Sequence, residues 1–224
     1  MAVDTLAFGA LAALAGMCGQ RLLARRFAGM WGRAILWAWG VEVEIHGAPP
    51  TGPAVYAANH GSALDIPIVF GYLPVDFRVI HKRSLHYLPI FGQYLYLGGH
   101  IAVDRSNPFR ARRSLSRAAI RIRGGTSVLV FPEGTRNRRD DGAVQPFKRG
   151  SFVLAVEAGG PVVPVSLAGV KRVAPAGLVR LRPGRVVLTL HAPIATEGLT
   201  VDEAGALGDR VQAVVAAACR ADAA

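Results

Sequence analysis

The chain is 224 residues long, with 26 lysines and arginines against 15 carboxylates and a net charge of +11. That length allows one domain with at most a short appendage, and a 51% apolar content supplies a sizeable core. The two cysteines, Cys18 and Cys219, stand near opposite ends and exclude a disulfide framework or a paired-cysteine zinc site, while the positive surplus calls for an anionic partner: nucleic acid, anionic lipid or a phosphorylated substrate. Thr5 to Gly19 is an uncharged run of Ala, Leu and Gly, shorter than the roughly 20 residues a spanning helix needs. Basic residues do not precede it, as a signal peptide would require, and Met17 stands where a lipoprotein cleavage site needs a small residue. Arg21, Arg25 and Arg26 follow, then an apolar segment from Phe27 to Trp39 that contains Trp31, Trp37 and Trp39. Trp favours membrane interfaces. Residues 1–40 are therefore predicted as two short helices that dip into one leaflet, with arginines on anionic headgroups. The plain alternative is a core helix with an Ala-rich start. Residues 41–224 form the second unit, the main domain.

Val41 to Ile45 alternates apolar and acidic residues, as a half-exposed strand does, and Gly47-Ala48-Pro49-Pro50 is a loop. Ala54 to Ala58 reads as a buried strand. It delivers Asn59-His60-Gly61-Ser62-Ala63-Leu64-Asp65 to the end of that strand, where open α/β sheets place their ligands. Five residues apart in a regular helix, His60 and Asp65 would point about 140° from each other. They meet only if the chain turns between them, which Gly61 permits. Asp65 would then hold one ring nitrogen and leave the other free to take a proton. The bland alternative is a capping pair, Ser62 and Asp65, with His60 a turn residue.

Val75 to Ile80 is a further strand. An aromatic-rich segment from Leu85 to Leu97, broken by Pro89 and Gly92, suits either an acyl-chain groove or plain core. Ile101-Ala102-Val103 is a short strand ending in Asp104-Arg105. Asn107 and Pro108 then open a helix that Gly124-Gly125 closes. Its arginines, from Arg110 to Arg123, form a solvated face that could also meet anionic lipid or an acidic acyl carrier. Ser127 to Phe131 is a buried strand that runs into Pro132-Glu133-Gly134-Thr135-Arg136. There Gly134 allows backbone close to a ligand, Thr135 offers a hydroxyl and Arg136 a planar fork for phosphate oxygens. Glu133 could pair with Arg136 or accept from a substrate hydroxyl. A short helix over Ser151 to Ala158, strands at Pro161 to Leu167 and Val186 to Leu190, and a last helix opened by the Thr200-to-Glu203 capping box complete the chain. Strands and helices alternate, which predicts an α/β domain with a mixed, largely buried sheet flanked by helices.

With three strand ends carrying polar clusters, the sequence resembles the 1-acylglycerol-3-phosphate acyltransferase family. The blocks that carry the resemblance are Asn59 to Asp65, Gly99 to Arg105, Phe131 to Arg136 and Val162-Val163-Pro164-Val165, in that order, within residues 40 to 200. Lys82 and Phe147 to Gly150 also match family positions, and Ile101 to Val103 is less bulky than the family pattern. The resemblance implies an O-acyltransferase in which His60 is the general base, oriented by Asp65. It assigns Arg105, Glu133, Gly134, Thr135 and Arg136 to the acceptor's phosphate and polar head, with Lys148 a further cation. It implies a lysophosphatidate-like acceptor and an acyl-CoA or acyl-carrier-protein donor. No metal or cofactor is needed, because a thioester is already activated. Membrane lipids are the expected partners, and the cytoplasmic face of an inner membrane the expected location. A lyso-ornithine lipid, another lysophospholipid or glycerol 3-phosphate is the alternative acceptor, and a non-catalytic basic membrane-binding protein the alternative class. No nucleic-acid-binding signature occurs. A serine hydrolase through Ser62 or Ser166 would lack the Gly-x-Ser-x-Gly elbow.

Overall fold

The apolar runs become strands because each is rich in residues that fit a pleated, buried surface. In the computed structural model, which describes residues 8, 11–12, 14–104, 107–137, 143–175 and 181–221, they are β1 (Val41–His46), β2 (Val55–Ala58), β3 (Phe77–Lys82), β4 (Ile101–Val103), β5 (Ser127–Val130), β6 (Val162–Ala168) and β7 (Gly184–Leu190). They pair into one sheet in the order β1-β7-β6-β2-β5-β3-β4. The pair β6/β7 is antiparallel and the others are parallel. Every residue of β2, β5 and β6 is buried, as central parallel strands require. The edge strand β1 turns its glutamates toward solvent, which accounts for its alternation.

The helices are α1 (Arg21–Ala38), α2 (Asp65–Tyr72), α3 (Phe91–Leu97), α4 (Pro108–Arg123), α5 (Gly150–Ala158), the short α6 (Val170–Val173) and α7 (Ala204–Ala221). They cover both faces. Tyr56 and Ala58 pack with α1 and α2 on one side, and Val55 and Ala57 with α4, α5 and α7 on the other. The chain leaves β2 for β3 in one direction along the sheet and leaves β5 for β6 in the other. Their carboxyl ends therefore flank a crevice at a topological switch point. Asn107 caps α4 as expected, its side chain accepting from the N–H groups of Phe109 and Arg110.

The described residues of the N-terminal segment are helical at 14–17, turn at 18–19 and continue as α1. Helix α1 buries Ala24, Ala28, Gly32, Ile35 and Leu36 and belongs to the core. Trp31 and Trp39 pack against that core, while Trp37 is 83% exposed. The close fit is steric: a Cβ on Gly32 would stand 2.4 Å from Pro67 O in α2. Arg33 Nε donates to Gly71 O at 2.8 Å, a carbonyl that the end of α2 leaves open, and Arg25 Nη2 donates to Val75 O at 2.5 Å in the loop that follows. No helix among the described residues is long and apolar enough to cross a membrane. The segment from Leu85 to Leu97 is a one-turn 3-10 helix, Arg83–Tyr87, followed by α3, with Tyr94 and Leu95 in the core.

Candidate active site

Strand β2 ends where Asn59 takes over its pairing. The Asn59 amide donates to Leu167 O at 3.1 Å and accepts from Leu167 N–H at 2.8 Å, extending the β2/β6 ladder by a side chain. The next residue is held through both its backbone N–H and its C=O. His60 N–H donates to Glu133 Oε1 at 2.6 Å, and His60 O accepts from Asn137 N–H at 2.7 Å. The His60 ring stacks on Phe131, centroids 4.3 Å apart. The turn through Gly61 then brings His60 Nδ1 to 2.7 Å from Asp65 Oδ2.

Asp65 is fully buried as the first residue of α2. The same Oδ2 accepts Ser62 N–H at 2.9 Å, while Ser62 Oγ accepts from Leu64 N–H. The turn expected of a capping pair and the His-Asp contact therefore coexist on one oxygen. An imidazole whose Nδ1–H faces a carboxylate presents a lone pair at Nε2, and that nitrogen has no hydrogen-bond partner among the described residues. This is the arrangement of a general base with its orienting acid.

The loop after β5 supplies the opposite wall. Glu133, expected to touch an acceptor or pair with Arg136, is only 2% exposed. Both its oxygens are engaged, Oε1 by His60 N–H and Oε2 by Gln145 N–H at 3.2 Å. Burial pushes its carboxyl above the usual range, and the two N–H donors offset part of that. It stands behind the histidine, and it forms no ion pair with Arg136. Thr135, Arg136 and Lys148 are exposed. Gly134 adopts φ +73°, and a Cβ there would come within 2.8 Å of Lys148 Nζ, so the glycine lets the ammonium lie over the loop. Arg105 lies outside the described residues.

A groove of about 290 Å³ adjoins Phe131. Ile80, Val103, Ala111, Leu115, Phe131 and Pro132 make its apolar wall, and Lys148 and Ser151 add polar groups. The aromatic segment from Leu85 to Leu97 takes no part in it. Asn137 and Lys171 are site residues that sequence reasoning passed over. Lys171 Nζ donates to Asn137 O at 2.6 Å and so supports the residue whose N–H holds His60 O. Nothing local marks them, because their partners are distant in the chain. The hydrolase alternative finds both its candidate nucleophiles out of a substrate's reach: Ser62 is 3% exposed and Ser166, although 3.0 Å from His191 Nε2, is fully buried in β6.

Residues 40–168 match the family model described as Acyltransferase. The chain belongs to the acyltransferase family. The matched span holds His60, Asp65, Glu133 to Arg136 and Lys148 together. Among related acyltransferases, the 1-acyl-sn-glycerol-3-phosphate acyltransferase of Limnanthes douglasii is 35% identical over 175 residues, covering 77% of this chain and 61% of the relative. The 1-acyl-sn-glycerol-3-phosphate acyltransferase alpha of Homo sapiens is 37% identical over 182 residues, covering 80% and 64%. The chain thus spans about three fifths of the length of these curated relatives. The crystal structure of the 1-acyl-sn-glycerophosphate (LPA) acyltransferase PlsC from Thermotoga maritima superposes with a TM-score of 0.73 at 28% identity, covering 97% of this chain and 94% of that one. The seven-stranded mixed sheet with its flanking helices is therefore an acyltransferase fold.

Proposed function

We propose that this chain transfers a fatty acyl group from a thioester to the free hydroxyl of 1-acyl-glycerol-3-phosphate, giving phosphatidate. The observation that carries the reading is the 2.7 Å His60–Asp65 contact beside an apolar groove. His60 Nε2 takes the acceptor's hydroxyl proton as the oxygen attacks the thioester carbonyl. The C–S bond breaks, and the departing sulfur takes that proton back from His60. Asp65 fixes the tautomer and stabilises the transient imidazolium. Arg136, Thr135 and Lys148, all exposed, would receive the acceptor's phosphate, and Arg105 would join them by the family resemblance. The groove accommodates acyl chain. The donor is an acyl-CoA or an acyl-carrier protein.

The same reading seats the protein on the cytoplasmic face of an inner membrane. Exposed Leu14, Met17, Leu22, Met30 and Trp37, with Arg21 and Arg26 nearby in sequence, support that seat. Flotation with anionic vesicles tests it, and a protein that stays wholly with the soluble fraction would count against it.

The deciding experiment is acyl transfer from a long-chain acyl-CoA and an acyl-carrier protein to four acceptors: lysophosphatidate, glycerol 3-phosphate, lysophosphatidylethanolamine and a lyso-ornithine lipid. Wild type and His60→Ala run in parallel. Transfer to lysophosphatidate that falls by about 10³-fold or more in the variant is the expected result. Preference for another acceptor would correct the substrate, and transfer that survives the substitution would remove His60 from the chemistry.

A further inference from the structure

Helix α4 carries more positive charge than the groove it borders uses. Its 16 residues include Arg110, Arg112, Arg113, Arg117, Arg121 and Arg123 and no carboxylate. Three of these have local partners: Arg110 reaches Asp104 Oδ2 at 3.5 Å, Arg121 donates to Gly99 O at 2.7 Å and Arg123 to Glu157 O at 2.5 Å. Arg112, Arg113 and Arg117 are exposed and make no hydrogen bond or ion pair among the described residues. Phe109, Arg113, Arg117 and Ile120 fall along one stripe of the helix. Both apolar members stand in the open, Phe109 at 84% and Ile120 at 60% exposure. The stripe runs about 16 Å at the 1.5 Å rise per residue of an α-helix. Arg113 and Arg117, four residues apart, repel one another, so the ridge works against the helix that bears it. On its inward side the same helix lines the groove beside Phe131 through Ala111 and Leu115.

Resting on the acyl-transfer reading above, we propose that this ridge docks a small acidic protein that carries the acyl group as a thioester on a flexible arm, the arm entering the groove toward His60. Three features select that occupant. The ridge is convex, whereas small-ligand sites such as one for a nucleotide are concave with converging donors. Arginines bracketed by an exposed aromatic and an exposed aliphatic are the composition of a protein interface, with charge to steer an acidic partner and apolar groups to hold it. Helix α4 also covers the opposite face of the sheet from α1. A bilayer that receives Leu22, Met30 and Trp37 would thus lie away from the ridge.

The test compares full-length wild type with Arg113→Glu/Arg117→Glu, and with the milder Arg113→Gln/Arg117→Gln in case the first perturbs folding. Each is assayed with a palmitoylated bacterial acyl-carrier protein and with palmitoyl-CoA on one acceptor. The expected result is a KM for the carrier that rises about tenfold in the Glu variant and less in the Gln variant, with kcat and the KM for palmitoyl-CoA within about twofold. An equal loss with both donors would overturn the proposal, because the ridge would then serve nucleotide phosphates or the site itself. Lost binding to phosphatidylglycerol vesicles with unchanged carrier kinetics would assign the ridge to lipid instead. No change in any arm would make it a solvated face. If wild type transfers from neither donor, the acyl-transfer reading has failed, and fluorescence anisotropy with labelled holo-carrier decides separately. Binding that the Glu variant loses would support docking, and no binding to wild type would refute it.

Discussion

Glu133 is the residue whose role the structure changes most. Its two oxygens each receive one backbone N–H, from His60 and from Gln145. A glutamine keeps the shape and only one of those acceptors, since its NH2 group confronts the other N–H. Glu133→Gln is therefore expected to destabilise the fold by about 1–3 kcal/mol. It should also lower kcat about tenfold by loosening the peptide that carries the base. The KM for the acceptor should stay within about twofold of wild type. Steady-state kinetics on both substrates checks this, and a raised acceptor KM with unchanged kcat would return Glu133 to the acceptor site. His60 and Asp65 were legible in the sequence because they are neighbours with a glycine between them. The task of Glu133 was not, since its partner lies 73 residues upstream.

Among the elements, the buried strands could be read directly. β2, β5 and β6 are continuous apolar runs because both their faces are covered. Their order could not be read, because a parallel neighbour leaves no local mark. Helix α1 carries two patterns at once, with Leu22, Met30 and Trp37 exposed while glycine and arginine fit its other face to α2. Gly32→Ala tests that packing. Its Cβ would meet backbone, 2.4 Å from Pro67 O and 2.9 Å from Gly71 N, so a helix must shift. The expected cost is about 1–3 kcal/mol. For a chain of this length that lowers Tm by roughly 2–12 °C, and because α2 begins with Asp65, kcat should fall as well. Gly205→Ala in α7, where a Cβ meets nothing within 4 Å, is the control that should leave Tm unchanged or raised. Thermal unfolding of both variants checks the contrast.

At the scale of the whole molecule, buried His100 ties stability to pH. Its Nδ1 accepts Val79 N–H at 3.0 Å, which only a ring without a proton there can do. Burial, with smaller contributions from Arg78 and His81, brings its pKa down to about 3. The unfolded chain titrates it near pH 6.5. A folded pKa below the unfolded one gives stability that is complete above about pH 6.5 and is lost as pH falls toward about 3. Denaturant titrations across that window should show a loss of up to about 1.4 kcal/mol per pH unit. His100→Gln should be less stable at neutral pH with a flatter acid limb, and an unchanged limb would mean other groups set the slope. One feature of the sheet bears on how the chain becomes active at all. Asn59 is held by backbone 108 residues downstream, and His60 by a side chain 73 residues downstream. Contacts so distant close late in folding. The sheet rests on pairings just as distant, Val55 with Val162 and Val41 with Gly184, so after dilution from denaturant the sheet's far-UV circular dichroism and catalysis should recover together. An active chain is then one whose last long-range contacts have formed, which makes turnover a gauge of complete folding.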